Sequence, residues 1–232
     1  MMMTACDDGR RRVYESGDKG KSWTEALGTL SRVWGKKQDK KAKLVRSGFT
    51  TATIDGVDND KRKVMLVTLP VCSKENVEKG ELHLWLTDNA HIVDIGPVSE
   101  DDEDAAASSL LYRSFEGKTK EELIALYEKK KGDEKETSPG MVSVLMTEQL
   151  KRVKEVLATW KEVDKRVSKL CQSKSDAERA STGNGYSDFK VTDGLVGFLS
   201  GNFSDTTWRD EYLGVNATVK ENDVGGKKAT LH

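Results

Sequence analysis

Apolar and polar positions along the chain change period once, and that change divides it. From residue 10 to about 113 the apolar positions come in short runs separated by polar turns. Arg11 to Ser16 alternates around Val13, Phe49 to Ile54 is β-branched and threonine-rich, and Val64 to Leu69 is a compact apolar run. Leu82 to Thr87 alternates around Trp85, and His91 to Val98 follows an Asp88-Asn89 turn. A period of two buries one face of a strand. Several such strands at short spacing predict an all-β sandwich, barrel or propeller.

Past residue 146 the period becomes helical. Leu150, Val153, Leu157, Trp160, Val163, Val167 and Leu170 recur at three- and four-residue steps, with Lys, Glu and Arg between them. This predicts one amphipathic helix over 147–171, about 37 Å long, bracing two domains. Gln172 to Asn184 is rich in Ser, Lys and Gly and reads as a linker. A second β pattern begins at Val191 and runs through Gly194 to Leu199. Four segments are therefore expected: a β region over 1–146, the helix over 147–171, a linker over 172–190, and a second β region over 191–232. Glu121 to Lys131 stays open on local grounds. Its Leu, Ala, Glu and Lys favour helix, while its neighbours are strands.

Charge and composition narrow the function. The 38 Lys+Arg and 39 Asp+Glu nearly cancel, so no general attraction to nucleic acid or an anionic membrane is expected. No uncharged apolar run is long enough to cross a bilayer, and no signal peptide precedes Cys6. Met1 to Cys6 reads as a strand entered partway along, so the chain is expected to be a fragment of a longer protein. The basic run Lys36 to Lys43 and the acidic run Glu100 to Asp104 read as solvated loops. Cys6, Cys72 and Cys171, like His83, His91 and His232, have no metal-ligand spacing, so no metal or cofactor is expected.

One motif stands out. Ser16-Gly17-Asp18-Lys19-Gly20-Lys21-Ser22-Trp23 fits S-x-D-x-G-x-x-W and is identified as an Asp-box, the hairpin of a sialidase-type propeller blade. Asp18 is expected to accept hydrogen bonds from turn N–H groups. Gly20 is expected at positive φ, and Trp23 with its ring buried under the turn. The box is read as architecture, with no part in chemistry.

Around it, Arg12 to Ser16, Trp23 to Trp34, Leu82 to Asn89, Gly194 to Ser200 and Val215 to Ala217 resemble the trypanosome trans-sialidase superfamily, in the family's order. The resemblance implies a mainly β chain. It would hold the C-terminal blades of a six-bladed β-propeller, the linking helix, and the start of a concanavalin A-like lectin jelly roll from 191. It also implies a strand at 121–131. Active members cleave or transfer sialic acid. They use three arginines around the sugar carboxylate, a tyrosine nucleophile beside a glutamate, and an aspartic acid/base. The arginine fork suits a carboxylate, and a neutral tyrosine avoids driving an anion onto an anionic substrate.

Carried over by resemblance, the second arginine falls at Ala5 and the third at Lys79. The acceptor-stacking tryptophan falls at Val77 and the nucleophile at Ala107, while the glutamate partner persists as Glu128. Tyr112 does not stand in, because the family has a tyrosine there as well. The first arginine and the acid/base are expected upstream of Met1. Alanine can neither form a glycosyl-enzyme bond nor grip a carboxylate. The chain is therefore expected to belong to an inactive, trans-sialidase-like surface glycoprotein, GPI-anchored in full-length relatives, acting in adhesion, glycan binding or antigenic display. Its partners would be host-cell or matrix glycoproteins and sialylated glycans. Asn202-Phe203-Ser204 and Asn216-Ala217-Thr218 are candidate N-glycosylation sites. Cys171 matches a family cysteine whose partner position is Tyr186, so that disulfide is not expected. The rival readings are an active exo-α-sialidase or trans-sialidase, and a fragment whose open strand edges prevent stable folding.

Overall fold

A computed structural model describes residues 2–5, 11–25, 47–55, 61–72, 80–100, 103–115, 120–130, 140–170, 192, 195–201, 203–204, 206–214, 216–221 and 227–231. It is mainly β with one helix among the described residues. The structure divides into two compact units, 1–154 and 155–232. The boundary falls inside the helix, eight residues past its start at Thr147.

Among its described residues the first unit holds three antiparallel meanders. The first runs β1 (Met2–Ala5), β2 (Arg11–Glu15) and β3 (Thr24–Glu25). The second runs β4 (Phe49–Asp55), β5 (Lys61–Cys72), β6 (Gly80–Thr87) and β7 (Ile92–Pro97). The third runs β8 (Asp104–Ser114), β9 (Glu121–Lys130) and β10 (Gly140–Leu145). In every case chain neighbours are sheet neighbours, as the closely spaced turns require.

One face of the second meander is buried from strand to strand, and Met65, Val67 and Leu69 of β5 are buried on the other. Register places Ala52 against Val64, Leu66 against Leu86, and Thr68 against Leu84, and all of these are buried. Each fully buried leucine there contributes on the order of 1.5–3 kcal/mol. β8 lies against β4, β5 and β6. One contact runs through Gly48, where a Cβ would sit 2.5 Å from Thr68 Oγ1 and 2.9 Å from the Ser109 carbonyl carbon. Glycine is required there by space, and its N–H donates to both Thr68 Oγ1 and Ser108 Oγ at 3.0 Å. The two hydroxyls are 2.9 Å apart, so the buried polar groups satisfy one another.

β9, Glu121–Lys130, is a strand, as the resemblance implies and against the segment's helical propensity. It is flanked by β8 and β10, and Leu123, Ala125 and Tyr127 are buried while Leu126 between them is exposed. Two-sided pairing and period-two burial outweigh the helical propensity. The helix α1 (Thr147–Leu170) has Glu148 in its first turn and Lys169 in its last, as the helix dipole favours. In the first unit Leu150 and Val153 are buried, and Gln149 Nε2 donates to the Pro97 carbonyl at 2.7 Å. Lys154 pairs with Glu121.

The second unit sets the rest of α1 against residues 210–214. Val156, Leu157, Trp160, Val163 and Val167 are buried. Trp160 Nε1 donates to the Tyr212 carbonyl at 2.8 Å, Tyr212 Oη donates to Asp164 at 2.7 Å, and Arg166 pairs with Glu211. Leu170, expected on the buried stripe, is 67% exposed, because the stripe ends a turn earlier. A four-stranded sheet follows in the order β11 (Phe203–Ser204), β12 (Thr207–Trp208), β13 (Ala217–Glu221) and β14 (Lys227–Leu231).

The strand expected through Gly194 to Leu199 is not formed over its described residues, 195–199. Residues 195–200 belong to no helix or strand among the described residues. Phe198 N–H donates to Asp210 Oδ1 at 2.7 Å, and its carbonyl accepts from Glu211 N–H at 3.0 Å. A buried carboxylate and a turn satisfy that backbone in place of a neighbouring strand.

Candidate functional site

The Asp-box turn is closed by one carboxylate. Asp18 Oδ1 accepts from Ser22 N–H at 2.9 Å and from Ser16 Oγ at 2.9 Å, and its Oδ2 accepts from Ser22 Oγ at 2.6 Å. Ser16 Oγ in turn accepts from Gly20 N–H at 2.7 Å. The hydroxyl and backbone donors of Ser22, with Ser16, hold the Asp18 pKa down to about 2. Lys19 and Gly20 take the left-handed conformation with φ of 61° and 89°. A Cβ on Gly20 would lie 3.7 Å from the Trp23 ring, which therefore folds back onto the turn as expected. The ring is not buried, however. Trp23 is 42% exposed, and β3, which follows it, has only two residues.

A second cluster sits where β6, β8 and β9 begin or end. β8 and β9 pair Ala105 with Lys129 and then Ser108 with Tyr127, so Ala106 and Ala107 together oppose Glu128. This two-against-one bulge bends β8 and re-aims its side chains. Glu128 is half-buried and paired on its other side with Met141 of β10. Gly80 N–H, at the start of β6, donates to Asp104 Oδ1 at 3.1 Å, tying the first residues of β6 and β8 together. On the opposite face of β9, Tyr127 Oη donates to Glu103 Oε2 at 2.5 Å, and Lys129 pairs with the other oxygen of Glu103. Burial pushes the Glu103 carboxyl up, but its bonds from Lys129 and Tyr127 outweigh that and hold it below its ordinary value. Burial and the adjacent Glu103 charge push the Tyr127 phenol well up, so it stays protonated as a donor.

Two family models match the chain: the BNR repeat-like domain over residues 1–128 and the trans-sialidase C-terminal domain over 191–230. A Trypanosoma cruzi sialidase is 39% identical over 158 residues, 68% of this chain and 12% of that protein. A second T. cruzi sialidase is 35% identical over 224 residues, 94% of this chain and 25% of that protein. The chain belongs to the trypanosome trans-sialidase superfamily. Trypanosoma rangeli sialidase in complex with the inhibitor DANA superposes with a TM-score of 0.68 at 34% identity, covering 94% of this chain and 32% of that one. The same enzyme in complex with sialic acid gives 0.66 at 34% identity, covering 93% and 31%. The chain thus spans about a third of the solved sialidases and a quarter or less of the curated relatives.

Within this trans-sialidase relative, the positions carried over from the family are partly gathered. Ala107 and Glu128 meet across the β8–β9 bulge. Lys79 and Val77 lie outside the described residues, but Gly80, beside Lys79, is fastened to the start of β8. Ala5 lies on a different sheet, in β1, paired with Arg11. Asn202, Cys171, Tyr186 and the 172–190 linker fall outside the described residues, as does the basic run 36–43. Asn216 is half-buried, and its Oδ1 accepts from Asp210 N–H at 3.1 Å.

Sequence reasoning missed Glu103. It lies in the acidic run read as solvated, yet it is 5% exposed and ligated by Tyr127 and Lys129. The i, i+2 placement of Tyr127 and Lys129 on one strand face was the available signal. Nothing local in the sequence names Glu103 as their partner.

Proposed function

We propose that this chain is the propeller-to-lectin portion of a trans-sialidase-like surface glycoprotein that holds sialylated glycans without cleaving them. The observation that carries the reading is the methyl group of Ala107 in the β8 bulge opposite Glu128. A side chain there with no oxygen cannot attack an anomeric carbon, so no glycosyl-enzyme bond forms and Glu128 has no phenol to serve. Ala5 removes one anchoring guanidinium, and Lys79 offers a point charge without a bidentate fork.

The solved relative whose complex with sialic acid this fold matches supports a sialylated glycan as ligand. In this reading the three meanders of the first unit are C-terminal blades of a six-bladed propeller, with the Asp-box as a blade turn. The second unit is the opening of a concanavalin-type lectin domain. The protein works at the cell surface, GPI-anchored as in full-length relatives, with N-glycans at Asn202 and Asn216. There it binds host-cell or matrix glycoproteins or serves as displayed antigen.

The test is incubation of the protein with a fluorogenic sialoside, alongside binding of 3′-sialyllactose to the same preparation. Binding without release of the fluorophore is expected. Release that disappears in Glu128→Ala would overturn the proposal in favour of an active sialidase.

A further inference from the structure

The face of the β4–β7 sheet that carries Thr51, Lys63 and Met65 holds a hollow that the family positions leave unused. Register aligns Thr51, Met65 and Thr87 across three strands, with Thr53 opposite Lys63 in the next row. The Asp88-Asn89 turn walls one side, and Asn89 is held at a φ of 76°. The hollow measures about 430 Å³, within the range of small-ligand sites. It opens at the Thr87 end of β6, about 23 Å along the strand from Gly80 at ~3.3 Å per residue.

The charge inside it has a sign. Asp88 is committed, for it receives Arg62 Nη2 at 2.6 Å, His91 N–H at 2.8 Å and the His91 ring at 3.2 Å. Burial pushes its carboxyl up, but those partners outweigh burial and keep it an anion cancelled by Arg62. Among the described residues the side chains of Thr51, Thr53, Lys63 and Asn89 make no hydrogen bond or ion pair. The lining thus offers one uncancelled ammonium, two hydroxyls and one amide over a methionine floor. Phe49, one row further on the same strand face, is 46% exposed and offers a ring for the C–H face of a sugar.

We propose that this hollow is a binding site for one acidic sugar unit, with its carboxylate at Lys63 and its hydroxyls at Thr51, Thr53 and Asn89. A neutral sugar lacks the group that would satisfy the ammonium, and a simple anion would leave the hydroxyls and amide unmatched. Two sources share this chemistry, a sialoside and a uronate of a matrix polysaccharide. The site goes beyond the function proposed above, which rests on the Glu128 corner.

The experiment titrates the 232-residue chain with 3′-sialyllactose, an unsulfated uronate disaccharide and lactose, followed by ligand-observed NMR. At least one acidic sugar should bind while lactose does not, and the stronger of the two identifies the source. Lys63→Glu should weaken that binding about tenfold or more, the weight of one charge-assisted hydrogen bond. Asn89→Gly, which keeps the left-handed backbone and removes the amide, should weaken it several-fold. Failure of both acidic sugars to bind, equal binding of lactose, or wild-type binding by Lys63→Glu overturns the inference. Binding lost in Glu128→Gln and kept in Lys63→Glu would place the ligand at the Glu128 corner, overturning this site alone. Hydrolysis of sialyllactose would overturn the proposed function alone.

Discussion

Asp18 and Asp210 solve the same problem in two surroundings. Each carboxylate closes a turn by accepting hydrogen bonds from donors near it in the chain. Asp18 does so at the surface, with Ser22 and Ser16 as donors, while Asp210 is 2% exposed. Asp210 accepts from Tyr212 N–H at 3.2 Å and Gly214 N–H at 3.0 Å, and also from the distant Phe198 N–H at 2.7 Å. The difference is what else depends on the anchor. Water can replace Asp18 as a partner for its donors. Nothing can replace Asp210, whose loop carries the Tyr212 carbonyl that receives Trp160.

That contrast predicts a graded series of losses. The largest is expected for Asp210→Ala, which strands three N–H groups in or near the interior. It should lower the stability of the second unit by about 3 kcal/mol or more, read as a lost or shifted calorimetric transition. An unchanged transition would mean that burial of the carboxylate is incidental. Tyr127→Phe comes next. It removes one of the two side-chain partners of buried Glu103 and should cost about 1–3 kcal/mol in urea unfolding of the first unit.

His83 lies between the extremes, its ring bonded to Asp94 at 2.9 Å and Glu81 at 3.2 Å across β6 and β7. Burial lowers its pKa, but the two carboxylates outweigh burial and the net shift is upward from 6.5. Its contribution is therefore complete below pH 6.5 and is lost as pH rises through the raised value. Unfolding followed from pH 5 to 8 should show a small decline that His83→Gln abolishes.

The smallest effect belongs to Asp18. Its folded pKa of about 2 lies below the ordinary 3.8, so its contribution is present above 3.8 and fades as pH falls through about 2. Asp18→Asn should remove that acid dependence from the fluorescence of Trp23, which packs on the turn, and leave the global transition nearly unmoved. A large global loss would erase the distinction between the two aspartates.

Legibility followed the range of each interaction. The Asp-box was readable because Ser16, Asp18, Gly20 and Ser22 bond one another within four residues. β4 to β7 were readable because apolar runs and alternation are both local, and the helix because its apolar spacing repeats. Residues 195–200 were misread as a strand because their partner is a carboxylate twelve residues on from Phe198, in a loop with no motif. Glu103 was misread as solvated because its partners Tyr127 and Lys129 arrive 24 and 26 residues later on β9.

The amino-acid order settled the family, the Asp-box turn and the change from strand period to helix period, since all of these reside in neighbouring residues. It also put alanine at 107, the position to which the resemblance carries the family's nucleophile. Only the tertiary structure decided that Ala106 and Ala107 share a bulge opposite Glu128. It alone decided that one acidic-loop carboxylate is interior. Register and burial depend on chain segments that meet only after folding, and no local pattern encodes which of them will meet.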